Sequence, residues 1–236
     1  MKITYIHHSS FCVELQNSML LFDYFKGELP KFDKAKKLYV FASHFHEDHF
    51  DKCIFEIAKE HPDVTYILSK DIKKRRSKYV KSADQIVVMN FDEEITVDNM
   101  KIKTLESSDI GVAFLIEIEG KVIYHAGDLN WWHWEGEEEE FNLDQAKRYQ
   151  QQMQLLADAL DGNHLDLACI PVDPRLHSDC LRGLLAFDSR VFAKNILPIH
   201  FWGDFSVMQT LHDRLSPELF SRILTVEHPG KVCGNL

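Results

Sequence analysis

Leu38-Tyr39-Val40-Phe41-Ala42-Ser43-His44-Phe45-His46-Glu47-Asp48-His49 is the stretch on which the reading of this chain turns. Its first five residues are apolar and β-prone, which predicts a buried strand that ends at Ser43. Three histidines and two carboxylates follow within six residues. Extended backbone repeats its side-chain direction every second residue, so His44, His46 and Asp48 are expected on one side. Phe50, Ile54, Ile57 and Ala58 then recur at helical spacing. That predicts a turn into a helix with His49 at its start, able to swing toward the same point. Imidazole suits zinc, copper, nickel or iron, and a carboxylate widens the choice toward harder ions. Two neighbouring metal sites could share the segment, with His44 and His46 on one and Asp48 and His49 on the other. The competing reading is a solvated polar loop; the scarcity of histidine in proteins argues against it.

The chain has 236 residues, 45% of them apolar, enough for one sizeable core and a single domain over residues 1–236. Its formal net charge of −10 disfavours nucleic acid as a partner, because such binding needs basic surface to displace counterions. A local exception is the run Lys70, Lys73, Lys74, Arg75, Arg76, Lys78 and Lys81, which could attract an anionic substrate or a phosphate backbone. With no aromatic stacking platform interleaved, a solvated helix face is the preferred reading of that run. Cys12, Cys53, Cys169, Cys180 and Cys233 are scattered without a pairing pattern, as expected of free thiols in a reducing compartment. No apolar run reaches membrane-spanning length and no charged-then-apolar leader follows Met1, so the expectation is a soluble cytoplasmic protein.

Short strand-like runs crowd the first half. Lys2–Ile6, Phe11–Leu15 and Met19–Phe22 suggest a meander. Further strands are expected at 63–68, 85–89, 94–97 and 101–105, and Val112–Glu119 with Lys121–His125 flank Glu119-Gly120 as a hairpin. A long helix is expected from the period of Leu143, Ala146, Met153, Leu156, Ala157 and Leu160, with Asn142 as its N-cap and Gly162 as its stop. Alternation follows: strand 165–170, helix 181–194, strand 195–199, helix 206–215 and strand 223–226. Strands first and α/β alternation later suit packed sheets with helices outside.

Further metal-type residues stand at strand ends. Asp23 follows Leu20-Leu21-Phe22, Asp128 follows Tyr124-His125-Ala126-Gly127, and His200 follows Ile196-Leu197-Pro198-Ile199. Taken singly, each could be a turn aspartate or a strand-end histidine. Together with the histidine cluster they resemble, in order and spacing, the metallo-β-lactamase fold superfamily of metal-dependent hydrolases. The opening Tyr5-Ile6-His7-His8-Ser9-Ser10-Phe11, with Leu21-Phe22-Asp23 and Ile123–Asp128, looks most like its branch of Zn-dependent hydrolases related to ascorbate-phosphate lactonases and N-acyl-phosphatidylethanolamine phospholipase D. The resemblance spans residues 1 to about 226.

It implies an α/β (α+β) fold, an αβ/βα four-layer sandwich of two mixed β-sheets flanked by helices. It also implies that His44 and His46 hold one metal, Asp48, His49 and His200 a second, and that Asp128 bridges them. Asp23 would orient a ligand from behind, and His8 would lie beside the site. One departure stands out: the superfamily supplies a third histidine to the first metal from the segment before 112–119. Here that segment reads Leu105-Glu106-Ser107-Ser108-Asp109-Ile110-Gly111. Asp109 is the favoured replacement, Glu106 the next and His133 a remote third; a vacant position is the alternative. A carboxylate would shift preference from zinc toward manganese or iron.

The chemistry implied is hydrolysis of an ester, lactone or phosphodiester in a small substrate, with an anionic one left open, by water activated on one or two ions. Asp48 would orient that water and take its proton, with His8 and Asp23 in support. No Gly-x-Ser-x-Gly elbow suggests a serine route, and Cys53 and Cys180 read as structural thiols. Trp131-Trp132-His133-Trp134 is expected to wall the substrate pocket, and Arg175 to bind an anion or form a salt bridge. A phosphodiesterase or nuclease acting on nucleic acid, and a metal-binding protein with impaired catalysis, are the alternatives. A homo-oligomer is compatible with all three.

Overall fold

The computed structural model describes residues 1–80 and 85–235, so Lys81 of the basic run lies outside the described residues. It contains two compact units. The first joins Met1–Asn90 to Val226–Leu236, and the second is Phe91–Thr225.

The first unit is built on strands β1 (Lys2–His7), β2 (Ser10–Glu14), β3 (Ser18–Phe22), β4 (Lys37–Ala42), β5 (Val64–Ser69) and β6 (Ile86–Met89). They lie side by side in chain order, and the C-terminal strand Val232–Asn235 pairs antiparallel with β1 at the edge. β1, β2 and β3 form the expected antiparallel meander, whereas β3 through β6 run parallel, which makes the sheet mixed. β3 and β5 are buried at every position and β4 at all but its first, as their largely apolar sequences favour. Register is set by an aromatic ladder across three strands. Phe11 faces Phe22 and Phe22 faces Phe41, their rings stacked at 4.6 and 4.9 Å. This register brings Asp23, one residue past β3, beside Phe41 and Ser43 at the end of β4: the Asp23 amide donates to Phe41 O at 2.9 Å.

The helix expected to start at His49 begins later and is of another kind. It is a 3-10 helix, Lys52–Lys59, whose N-cap Asp51 accepts from the Cys53 amide at 2.7 Å. Ile54 and Ile57 are its buried residues, so the apolar spacing was read correctly and the start was not. Lys70–Arg75 is a short helix packed on β5 and β6.

In the second unit, β7 (Glu94–Val97), β8 (Met100–Glu106), β9 (Val112–Ile118) and β10 (Lys121–His125) are antiparallel, and β11 (Leu167–Pro171) and β12 (Ile196–Ile199) continue parallel to β10. This sheet is also mixed, as expected. Glu119 and Gly120 both have positive φ (50° and 70°), the geometry a two-residue hairpin turn demands. A long helix, Glu139–Leu160, packs on β8, and Arg182–Asp188 packs on β11. The long helix starts earlier than expected, with Glu138 rather than Asn142 at its cap. The Asn142 amide is occupied instead with both backbone groups of Trp134, at 2.9 and 3.0 Å.

The helix expected over 181–194 stops at Asp188, where Ser189 Oγ donates to Ala186 O. The strand expected at 223–226 is only a single bridge from Ile223 to Ile196. The Ile196 amide donates to Arg222 O and its carbonyl accepts from the Leu224 amide. The next residue of β12 facing that edge is Pro198, which has no N–H to continue the ladder. Among the described residues, no helix is long and apolar enough to cross a membrane.

Candidate metal centre

In the first unit, six chemistry-bearing residues gather where β1, β3 and β4 end. Asp23 is fully buried and accepts from the Ser43 amide (2.7 Å), Ser43 Oγ (2.7 Å) and His49 Nδ1 (2.8 Å). A carboxylate only accepts, so the Nδ1 proton of His49 points at Asp23 and the Nε2 lone pair points away from it. That Nε2 lies 3.9 Å from Asp48 Oδ2, and His8 Nε2 lies 3.4 Å from the same oxygen. His44 Nδ1 sits 3.0 Å from Ser43 Oγ, and ligand atoms of His44, His46 and Asp48 all lie within 4.8 Å of one another.

These atoms meet for a reason other than strand alternation. The extended backbone stops at Ala42, and the His49 and Phe50 amides both fold back onto His46 O, at 3.0 and 2.9 Å. A turn, not a period of two, collects the donors. Asp71 fixes the turn by accepting from the Phe45 amide at 2.8 Å, and the Arg75 and Arg76 guanidiniums lie over the Phe45 ring. Asp71 was not among the expected site residues; its carboxylate sits early in an otherwise basic helix.

In the second unit, Asp128 follows the tight turn at Gly127 (φ 54°), and His200 follows β12 with a positive φ of 64°. His200 Nε2 lies 3.2 Å from Asp128 Oδ1, and its Nδ1 lies 3.0 Å from Asp173 Oδ2. Asp173 is fully buried. Burial alone would raise its carboxyl, but hydrogen bonds from His200 and Arg175 outweigh that and hold it at about 2. An ionised Asp173 fixes the proton of His200 on Nδ1 and leaves Nε2 facing the Asp128 carboxylate. Asp23–His49–Asp48 and Asp173–His200–Asp128 thus repeat one design. A buried carboxylate orients a histidine whose other nitrogen faces a second carboxylate, an arrangement that a cation between the two acceptors satisfies.

Asp109 stands in the β8–β9 loop with a carboxylate oxygen within 4.8 Å of one of Asp128. Ser108 ties the two loops: it accepts from the Asn130 amide at 3.0 Å and donates to Asn130 O at 2.7 Å. The other two residues considered for the missing histidine have charged partners of their own. Glu106 lies 4.0 Å from Arg148, and His133 Nδ1 lies 2.8 Å from Asp179. Trp132 is buried, donates from Nε1 to Asp128 O at 3.0 Å and sets its ring edge-on to His200 at 5.4 Å. Trp134 stacks on Trp132, and Trp202 meets His200 edge-on at 5.9 Å. Arg175 holds Asp173 through Nε and Nη2 and lies over Trp134 and Trp202, so it is engaged as a structural ion pair.

Asp173 and Trp202 were missed as site residues. The signal for Asp173 was available: like Asp23, it closely follows the end of an apolar strand. Burial pushes the Cys53 and Cys12 thiols up to about 12 and raises that of Cys180, which leaves these three unsuited to nucleophilic attack.

Comparison with known proteins identifies the lineage. The sequence profile of the β-lactamase superfamily domain matches residues 2–144. The chain belongs to that superfamily. The match takes in Asp23, the histidine loop, Asp109 and Asp128; Asp173 and His200 lie beyond it. Among proteins similar to it is a UPF0173 metal-dependent hydrolase of Korarchaeum cryptofilum (strain OPF8), 28% identical over 136 residues. That alignment covers 54% of this chain and 60% of the relative.

Among solved structures, a possible metal-dependent hydrolase from Veillonella parvula DSM 2008 superposes with a TM-score of 0.61 at 12% identity, covering 98% of each chain. The metallo-β-lactamase fold protein YhfI from Bacillus subtilis gives 0.56 at 13% identity, covering 98% of this chain and 97% of YhfI. CmlA, a diiron β-hydroxylase from Streptomyces venezuelae, gives 0.55 at 10% identity over 84% of this chain and 44% of CmlA. At such identities the likeness is one of fold, and a hydroxylase on the same fold shows why chemistry has to be argued from the site.

Proposed function

We propose that the chain is a metal-dependent hydrolase that cleaves an ester, lactone or phosphodiester bond of a small substrate, and that residues 1–236 act as one hydrolase domain. The observation that carries this reading is the repeated carboxylate–histidine–carboxylate arrangement, with His44, His46 and Asp48 clustered within 4.8 Å beside one copy of it. Buried histidines oriented in this way suit a metal better than they suit packing. The ligands in this reading are His44, His46, Asp48, His49, Asp128 and His200, with Asp109 taking the place of the histidine expected on the first metal. The ion is zinc, one or two per chain, with manganese or iron favoured to the extent that Asp109 contributes.

When bound, such a cation lowers the pKa of a water from ~15.7 to about 7 and polarises the bond under attack. The protein's part is to place and take the proton. Asp48 is partly exposed, so water reaches it, and His8 holds its Oδ2 at 3.4 Å. Asp48 is the proton acceptor in this reading, His8 positions it, and Asp23 keeps the His49 ring in one tautomer. Trp132 braces the His200 ring edge-on at 5.4 Å, and Trp134 stacks behind Trp132.

The nucleic-acid alternative is weakened by the net charge of −10, which disfavours a polyanion as partner. Scattered cysteines that form no disulfide among the described residues fit the reducing cytoplasm. The test is metal content by mass spectrometry, followed by chelator-sensitive turnover of neutral ester, lactone, phosphodiester and single-stranded DNA panels by wild type and His46→Ala. Metal retained by the wild type, and hydrolysis lost on chelation and in His46→Ala, are expected. A chain that retains no metal, or turnover that survives both treatments, would overturn the reading. Metal binding without any turnover would leave the impaired metal-binding protein.

A further inference from the structure

We propose that a cleft in the first unit, beside the histidine loop, seats an anionic group of the substrate, a phosphate or a carboxylate. This deepens the hydrolase reading and rests on it. The cleft has a volume of about 460 Å³, the size of a small-molecule site, and is walled by Phe25, Lys26, Lys52, Arg76 and Tyr79. It gathers three cations on a chain whose net charge is −10. Two carboxylates also line it, but neither cancels that charge fully. Asp51 spends an oxygen on the Cys53 amide at 2.7 Å, and Glu47, with its side chain 91% exposed, is only 3.7 Å from Arg76 and loosely held. An incoming oxyanion can displace Glu47 from Arg76 without uncovering a buried charge. Lys52 lies over the Tyr79 ring at 5.6 Å, which holds its ammonium on the cleft wall.

Two features make this a built site and not a chance meeting of lysines. The loop that carries Phe25 and Lys26 is pinned at Gly27. Its φ is +109°, a Cβ there would meet Ile6 Cγ2 at 2.8 Å, and Tyr24 Oη donates to its carbonyl at 2.8 Å. The cleft also adjoins the metal-type residues within the same unit. Phe25 sits edge-on to His8 at 6.2 Å, and His8 lies 3.4 Å from Asp48, while Glu47 precedes Asp48 and Phe50 follows His49. A substrate anchored here by its charged end presents its neighbouring bond to the residues assigned to the chemistry.

Two measurements on the full chain test the inference. In the first, inorganic phosphate is titrated into chelator-stripped protein, so that no metal can take the anion. Wild type should bind it; Lys52→Gln and Lys26→Gln should weaken binding about tenfold, the scale of a charge-assisted hydrogen bond. Glu47→Gln, which releases Arg76, should tighten it severalfold, a gain that no folding defect can imitate. In the second, metal-loaded wild type and variants hydrolyse a matched pair of esters, one neutral and one carrying a carboxylate. Lys52→Gln should lower the preference for the charged ester about tenfold, through KM. Unaltered phosphate binding in all three variants, or an unaltered ester preference with neutral-ester turnover intact, overturns the cleft assignment alone. Absence of turnover on both esters, with phosphate binding responding as expected, overturns the hydrolase reading and leaves an anion site.

Discussion

Asp23 does the work of several residues. Its carboxylate takes three hydrogen bonds, from the two ends of Ser43 and from His49, in a site fully closed to solvent. Asp23→Ala is expected to leave His49 in an undefined tautomer and to lower metal affinity by roughly 10–100-fold, measured by competition with a chromophoric chelator. Wild-type affinity in that variant would remove Asp23 from the centre. Asp109 answers a different question, because its neighbour within the second unit is Asp128 and it is exposed. Asp109→Ala is expected to reduce metal stoichiometry while leaving the melting temperature nearly unchanged, since an exposed loop carboxylate contributes little to folding. Identical metal-binding curves for apo wild type and apo Asp109→Ala would make it a turn residue only. The residues closest to the chemistry were legible in the sequence because histidine in such a cluster has few other uses. The supports were harder to read. Asp71 and Asp173 are ordinary residue types whose importance arises from what the fold sets beside them, a backbone amide in one case and a histidine 27 positions on in the other.

Strand ends organise both units, and the strands were the easiest elements to anticipate. The apolar runs of β3, β4, β5 and β9 admit few other readings, and Glu119-Gly120 announced its hairpin. Helix limits were less legible, because they depend on local polar partners: Asn142 is drawn away to Trp134, and Asp51 claims the cap nearest the histidine loop. The strand expected at 223–226 failed on one missing N–H, that of Pro198, on the neighbouring strand. Asp166 shows a strand end held by charge. It accepts from the Val122 amide at 3.0 Å and from Lys194 at 3.0 Å, with Lys121 at 3.7 Å. Burial pushes its carboxyl up, but these partners outweigh burial and hold it below the ordinary 3.8. A carboxyl whose folded pKa is depressed stabilises the protein above its unfolded pKa, and the contribution is lost as pH falls through the folded value. Asp166→Asn should therefore lower the melting temperature at neutral pH and flatten its decline below about pH 4. Parallel curves for wild type and variant across the acid range would contradict this.

At the scale of the molecule, the chain leaves the first unit at Asn90 and returns to it at Val226. Val232–Asn235 covers the edge of β1, and the 228–231 turn adds backbone bonds: the Tyr5 amide to Lys231 O at 3.0 Å and the Gly230 amide to Tyr5 O at 2.9 Å. Removing residues 226–236 should lower the melting temperature by at least about 5 °C and promote aggregation through the bared β1 edge. Light scattering and calorimetry would check both, and a truncated chain that stays monodisperse and equally stable would show the cover to be dispensable. The same pairing bears on the order in which the protein can form during synthesis. Lys2 lies opposite Asn235, so β1 waits for a strand translated long after it before its sheet is complete. Phe91–Thr225, whose strands among the described residues pair with one another, carries no such delay. The second unit is then free to mature on the nascent chain while the histidine-bearing sheet still has a raw edge, and that interval is when a chaperone has most to offer.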